Sequence, residues 1–246
     1  MSIPTPDPHA PPPNVLCRQF LVDGLRPGSQ ILDIGCGHGE LMTDLRQRGH
    51  RVQGVEIDKR LVAECCEAGL SVRHGRAEEL PFGDAEFDAI VSSVVIPYTD
   101  QQNLFAEWSR VLRPGGVINI TCHGVGYGLH YALTEPGRRV YGCRMLVNTA
   151  VYSVTGRRLP GFWGDTLCQT HRQIARYAEK AGLTLGETFV VDRFLGCSRF
   201  VGFRLAKPVA VPSVDSILTA TLEQIARFEG TIYVEPEQLE HATSDR

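Results

Sequence analysis

Apolar and polar positions along the chain fall into short runs separated by glycine and proline breaks. Ile31, Leu32 and Ile34 make the first clear apolar run, which predicts a short buried strand. Three glycines at alternate positions follow it, Gly35, Gly37 and Gly39. Helical spacing around Leu41, Met42 and Leu45 then predicts a helix over 40–48 that stops near Gly49. Upstream, Val15, Leu16, Phe20 and Leu21 set a helical pattern from Asn14 to Gly24, closed by the turn Leu25-Arg26-Pro27-Gly28. Downstream, the pattern predicts strands over 52–57, 71–73, 87–93 and 117–121, and helices over 59–68 and 101–112. Arg113-Pro114-Gly115-Gly116 is expected to turn into the fifth strand.

Strands alternating with helices at this spacing imply crossover units and a parallel sheet with helices on both faces. Ligands in such sheets bind beyond the carboxyl ends of the strands, near the reversal of strand order. Asp33, Glu56, Arg76, Ser92 and Ser93 all fall at or just past expected strand ends. The glycine loop adds close backbone approach and a helix N-terminus to the same edge.

The pattern changes after Thr121. Residues 122–165 are rich in glycine, with Tyr127, Tyr131, Tyr141, Tyr152, Phe162 and Trp163 between, and no regular elements are expected there. Arg138, Arg139, Arg144, Arg157 and Arg158 dominate its charge against Glu135 and Asp165. Regular order is expected to return at Thr166, which with Gln169 fits a capping box for a helix to Ala181. Runs over 187–194 and 199–205 read as an antiparallel pair at the sheet edge, bringing the expected strands to seven. The expected organisation is a disordered proline-rich tail over 1–13, one domain over 14–207 with 122–165 inserted to cover the substrate, and a terminal part over 208–246. That last part comprises a linker, an amphipathic helix over 215–229 and a polar tail.

With 246 residues, 43% of them hydrophobic and 22% charged, the chain can bury a substantial single core. A net charge of -3 argues against a general nucleic-acid binder. No apolar run is long enough to span a bilayer, and the N-terminus lacks a signal-peptide layout, so the cytoplasm is the expected location. No two of the eight cysteines are separated by two residues; reduced, buried thiols and no metal are expected.

Four segments, in order, resemble the class I S-adenosylmethionine-dependent methyltransferases, in particular the small-molecule group related to ubiquinone biosynthesis. They are Ile31 to Gly39, Gly54-Val55-Glu56, Ala77 to Phe82 with Phe87-Asp88, and Val111 to Gly116. The resemblance implies a Rossmann-like α/β fold: a seven-stranded, mostly parallel sheet with an antiparallel edge hairpin and helices on both faces. It also implies S-adenosylmethionine as cofactor and methyl transfer to a small-molecule acceptor. Asp33, Gly35, Cys36, Gly37 and Gly39 would surround its methionine part, with Asp33 suited to an ammonium group. Glu56 would accept the ribose hydroxyls, Ile57 would pack on adenine, and Ala77 would offer its N–H to the ring. The motif lapses at Arg76, where relatives often place an acceptor for the adenine amine; Glu78 or a backbone carbonyl is expected to serve instead. A nicotinamide dinucleotide fold fits less well, because its third glycine would fall at Glu40, a carboxylate facing a pyrophosphate.

Methyl displacement asks the protein chiefly to align a nucleophile and exclude water. A weakly acidic nucleophile also needs a base, for which His123 leads, followed by His130 and Tyr98. His38 is expected to shape the cofactor pocket, and His171 is a weaker candidate base. The aromatics and arginines of 122–165 suit an aromatic or apolar acceptor with an anionic group. An RNA or protein acceptor, a non-catalytic binding module and a partner-bound subunit stand as alternatives.

Overall fold

The computed structural model describes residues 12–209 together with 219, 222 and 223. The described residues up to Pro208 form one compact unit. The expected tail up to residue 11 lies outside the described residues, whereas Pro13 already opens the first helix. The expected helix over 215–229 also lies outside them, except that 219, 222 and 223 are helical and exposed.

Seven strands form one sheet: β1 (Gln30–Ile34), β2 (Arg51–Glu56), β3 (Val72–His74), β4 (Phe87–Ser93), β5 (Leu112–His123), β6 (Thr184–Phe194) and β7 (Cys197–Ala206). Their order is β3-β2-β1-β4-β5-β7-β6. The first five are parallel, while β7 runs antiparallel to β5 and β6 antiparallel to β7. Strand order therefore reverses between β1 and β4, where Asp33 pairs in register with Val91.

The helices are α1 (Pro13–Val22), α2 (Glu40–Gln47), α3 (Lys59–Glu67), α4 (Gln101–Val111), α5 (Val125–Thr134), α6 (Arg139–Thr155) and α7 (His171–Lys180). Because β1 is covered on both faces, its apolar run is almost continuous and its alternate side chains enter different cores. Leu32 and Ile34 pack with Phe105 and Trp108 of α4 and Ile174 of α7. Ile31 packs with Met42, Leu45 and Cys65 of α2 and α3. Asp33 is the polar residue on the Ile31 face.

Several polar residues hold the frame. Asp88 accepts from the Gln30 N–H at 2.9 Å and from Arg113 Nη1 at 2.8 Å, tying β4 to β1 and to the start of β5. Trp108 Nε1 donates to the Ala77 carbonyl at 3.1 Å. Asn119, fully buried in β5, donates through Nδ2 to the Leu21 and Asp23 carbonyls at 3.0 Å each and accepts from Arg204 Nε at 3.1 Å. One side chain thus fastens the end of α1 to the sheet.

Three expectations are corrected. Arg113–Gly116 is not a turn before the strand but an excursion within β5: Leu112 already pairs with Phe87, and the next pair is Val117 with Ala89. The helix after the insertion starts four residues late, capped by Thr170 and Gln173. The same Thr-x-x-Gln spacing occurs at Thr166, but there the chain is spent on tertiary bonds. Asn148 Nδ2 donates to the Thr166 carbonyl at 2.8 Å, and the Gln169 N–H donates to the His123 carbonyl at 2.7 Å. Finally, residues 122–165 are mostly helical, not irregular. Glycines there let α5 and α6 touch backbone to backbone: a Cβ on Gly142 would strike the Ala132 amide and stand 2.6 Å from the Gly128 carbonyl oxygen.

Candidate functional site

The carboxyl ends of β1, β2, β4 and β5 open into two cavities of about 520 and 310 Å³ that share Gly35 and Val94 in their walls. Gly35 follows β1 with φ +72°, and a Cβ there would collide with Val95. Both the backbone and the space demand glycine. Val94, at the end of β4, holds φ +59°, a conformation that strains a β-branched residue. Its N–H donates to the Thr121 carbonyl at 2.8 Å, which fixes it between the two chambers.

The larger cavity is walled by Asp33, Cys36, His38 and Ser93 from the sheet edge and glycine loop. Asp33 is 2% exposed and its Oδ2 has no hydrogen-bond partner. Burial, and then the charge of Glu56, push its carboxyl from the ordinary 3.8 up to about 7. An unpartnered buried carboxylate of this kind favours a cation beside it. Burial also pushes the Cys36 thiol far up, which keeps it protonated. His38 is exposed, with Nδ1 3.2 Å from Glu64 Oε2. The Ser93 hydroxyl lies 3.3 Å from that of Thr121.

The smaller cavity is walled by Glu56, Ile57, Arg76, Ala77, Glu78 and Tyr98, among others. Glu56 is held by three backbone donors: Gly37 N–H to Oε2 at 3.0 Å, and the Ile57 and Asp58 N–H groups to Oε1 at 2.8 and 3.0 Å. The acid at the end of β2 is therefore oriented by the glycine loop itself, with lone-pair capacity to spare. Glu78 Oε1 accepts from the Asp100 N–H at 3.1 Å and lies 3.5 Å from Arg76 Nη2.

Some expected residues lie off the cavity walls. Ser92 donates its hydroxyl to the Ile34 carbonyl at 2.9 Å and clamps β4 to β1. Gly39 caps α2 at φ +76°, and Gly37 contributes its N–H to Glu56. His123 stacks on Tyr127 with centroids 3.7 Å apart and meets the edge of Phe200. Burial lowers its pKa to about 4, so its ring is neutral at physiological pH and a weak base. His130 sits on α5 between Thr134 and Glu135, and His171 lies at the start of α7 against Phe203. Of the three candidate bases, only Tyr98 reaches a cavity wall. Among the described residues no cluster of three or more metal-ligating side chains occurs.

Sequence reasoning missed the far wall of the larger cavity. It is made by α1, through Asn14, Cys17, Arg18 and Leu21, and by Phe200 of β7. Arg18 Nη2 donates to the Glu40 carbonyl at 2.7 Å, drawing α1 across the start of α2. No residue of 122–165 lines either cavity. The insertion approaches from the side, where Arg158 Nη2 donates to the Thr99 carbonyl at 2.7 Å, while Tyr131 packs edge to face on both Tyr127 and Tyr141.

Comparison with known proteins agrees with this architecture. The methyltransferase domain family matches residues 32–120. That segment, which carries the glycine loop and the first five strands up to Ile120, is similar to the class I S-adenosylmethionine-dependent methyltransferases. An uncharacterized protein of Mycobacterium tuberculosis is 31% identical over 125 residues, covering 47% of this chain and 45% of that protein. The malonyl-[acyl-carrier protein] O-methyltransferase of Serratia marcescens is 39% identical over 95 residues, covering 37% of each. The chain thus spans less than half the length of these curated relatives. A similar fold occurs in the Burkholderia thailandensis 1,6-didemethyltoxoflavin-N1-methyltransferase, solved with its acceptor and S-adenosylhomocysteine. It has a TM-score of 0.56 and 18% identity, covering 80% of this chain and 78% of that one.

Proposed function

We propose that this chain transfers the methyl group of S-adenosylmethionine to a small-molecule acceptor held in the larger cavity. The observation that carries the reading is Asp33: a buried carboxylate without a partner, at the strand-order reversal, two residues before Gly35, which both cavities share in their walls. These residues fit the cofactor. Asp33 would hold its ammonium group, and Gly35 would let its chain pass between the chambers. Glu56, already oriented by the loop, would accept the ribose hydroxyls. Ile57, exposed in the smaller cavity, would cover one adenine face, and Ala77 would offer its N–H. Glu78 is the nearest acceptor on this wall for an exocyclic amine.

The bound cofactor supplies a methyl carbon activated by positive sulfur. The protein's share is alignment and exclusion of water. The rigid Val94 backbone and the apolar side chains of Cys17, Leu21 and Phe200 bound the space where an acceptor would lie. His123 stands behind that space, stacked and neutral, which favours acceptors already nucleophilic near pH 7 over those that need a strong base.

The test is calorimetry with S-adenosylhomocysteine, followed by release of S-adenosylhomocysteine from S-adenosylmethionine across carboxylate, phenol and amine acceptors. Turnover on one class with micromolar product binding is the expected result. Binding without turnover on any class would mark a non-catalytic module, and stabilisation by a nicotinamide cofactor alone would overturn the reading.

A further inference from the structure

Helix α6 has an outer face that the fold does not cover. Its inner face buries Met145, Asn148, Thr149 and Tyr152. On the opposite side Val140, Cys143, Val147, Ala150 and Val154 recur at alternating steps of three and four residues, and all five are exposed. Such spacing draws one continuous stripe along a helix, here about 21 Å long at 1.5 Å per residue. Val154 is 88% exposed. Half of the large hydrophobic residues exposed among the described residues fall between 133 and 163. Two are aromatic neighbours of the stripe: Phe162 lies over the Arg144 guanidinium at 3.6 Å, one turn from Val140 and Val147, and meets Trp163 edge to face.

Charge at the ends of the stripe says what would cover it. Arg138 and Arg139 precede it and Arg157 follows it, all exposed. Arg139 opens a helix with no acidic residue in its first turn, where the macrodipole disfavours a cation. Among the described residues, Arg139 and Arg157 have no acidic partner. A second copy fits poorly, because parallel or antiparallel pairing of two α6 stripes sets arginine against arginine. An apolar strip with exposed Phe and Trp and basic ends is complementary to an anionic lipid surface.

We propose that the outer face of α6 docks the protein on anionic bilayers, lying in the interface. No described helix is long and apolar enough to cross a membrane, so the contact is peripheral. Val140, Val147, Val154, Phe162 and Trp163 enter the headgroup boundary, while Arg138, Arg139 and Arg157 meet lipid phosphates. The inference does not depend on the methyltransferase reading, since none of these residues lines either cavity.

Vesicle co-sedimentation of the full chain tests it, using phosphatidylcholine vesicles with and without phosphatidylglycerol. The expected result is binding to the anionic vesicles only, released by half-molar salt. Val154→Asp and Val147→Asp, both on the exposed face, should weaken it at least tenfold with the thermal midpoint unchanged, and Arg139→Glu with Arg157→Glu should do the same at low salt. Failure to bind anionic vesicles, or binding indifferent to Val154→Asp, overturns the proposal. A dimer in sedimentation that Val154→Asp dissolves, without vesicle binding, overturns it in favour of a second copy.

Discussion

Replacing Asp33 with asparagine should stabilise the free protein at neutral pH and weaken cofactor binding at the same time. The folded carboxyl titrates near 7 against an ordinary 3.8, raised chiefly by burial and further by Glu56. Below pH 4 it is neutral in both folded and unfolded chains and costs nothing. As pH rises from 4 to 7 the unfolded chain ionises freely while the folded one resists, so stability falls across that window and stays reduced above it. The gap between 3.8 and about 7, at about 1.4 kcal/mol per pH unit, amounts to about 4 kcal/mol. For a unit of this size that is on the order of 10 °C in the thermal midpoint. Urea unfolding of both proteins at pH 4.5 and pH 8 isolates the effect, because the pH-independent cost of burying an amide cancels in the comparison. The buried His123, whose lowered pKa removes stability as pH falls from 6.5 towards 4, is common to both proteins and cancels too. Calorimetry should show wild-type affinity for S-adenosylhomocysteine rising up to tenfold per pH unit between pH 5.5 and 7, with one proton released, and Asp33→Asn binding weakly at a pH-independent level. A stability difference equal at the two pH values, or wild-type binding flat across that range, would refute the assignment of Asp33 to a cation.

Glu56→Ala should weaken S-adenosylhomocysteine binding by about 1–3 kcal/mol in calorimetry, the loss expected for hydrogen bonds to a charged group. Unchanged affinity would remove Glu56 from the ribose site. Asn119→Ala releases the end of α1, removing the side-chain donor to the buried Leu21 carbonyl and the acceptor of Arg204 Nε; a loss of about 2–4 kcal/mol by urea unfolding is expected, with α1 amides exchanging hydrogen faster than those of β1. Gly142→Val should separate α5 from α6 and lower the thermal midpoint by several degrees, since only backbone atoms face that position.

The frame around the glycine loop was legible because it is written in local signals. The apolar run at Ile31, the glycines after it and the acid at Glu56 each report strand, turn or strand end from a few neighbouring residues. The capping box shows the limit of such signals: Thr166 and Thr170 carry the same spacing, and only the buried bonds made by Asn148 and His123 decide between them. The insertion shows another. Its glycines read as breaks, yet at Gly142 they serve the close packing of two helices, a demand that exists only once both are present.

By itself, the order of residues from Ile31 to Gly116 determined the parallel half of the sheet, the glycine-loop edge and the resemblance to the methyltransferase family, since each depends on periodicity and spacing along the chain. The tertiary structure alone decided that Asp33 is left without a partner, that α1 and Phe200 rather than the insertion wall the larger cavity, and that His123 is stacked away from it. Those outcomes depend on which groups remain unsatisfied after distant segments pack, and burial and charge at a point are set by neighbours far away in sequence.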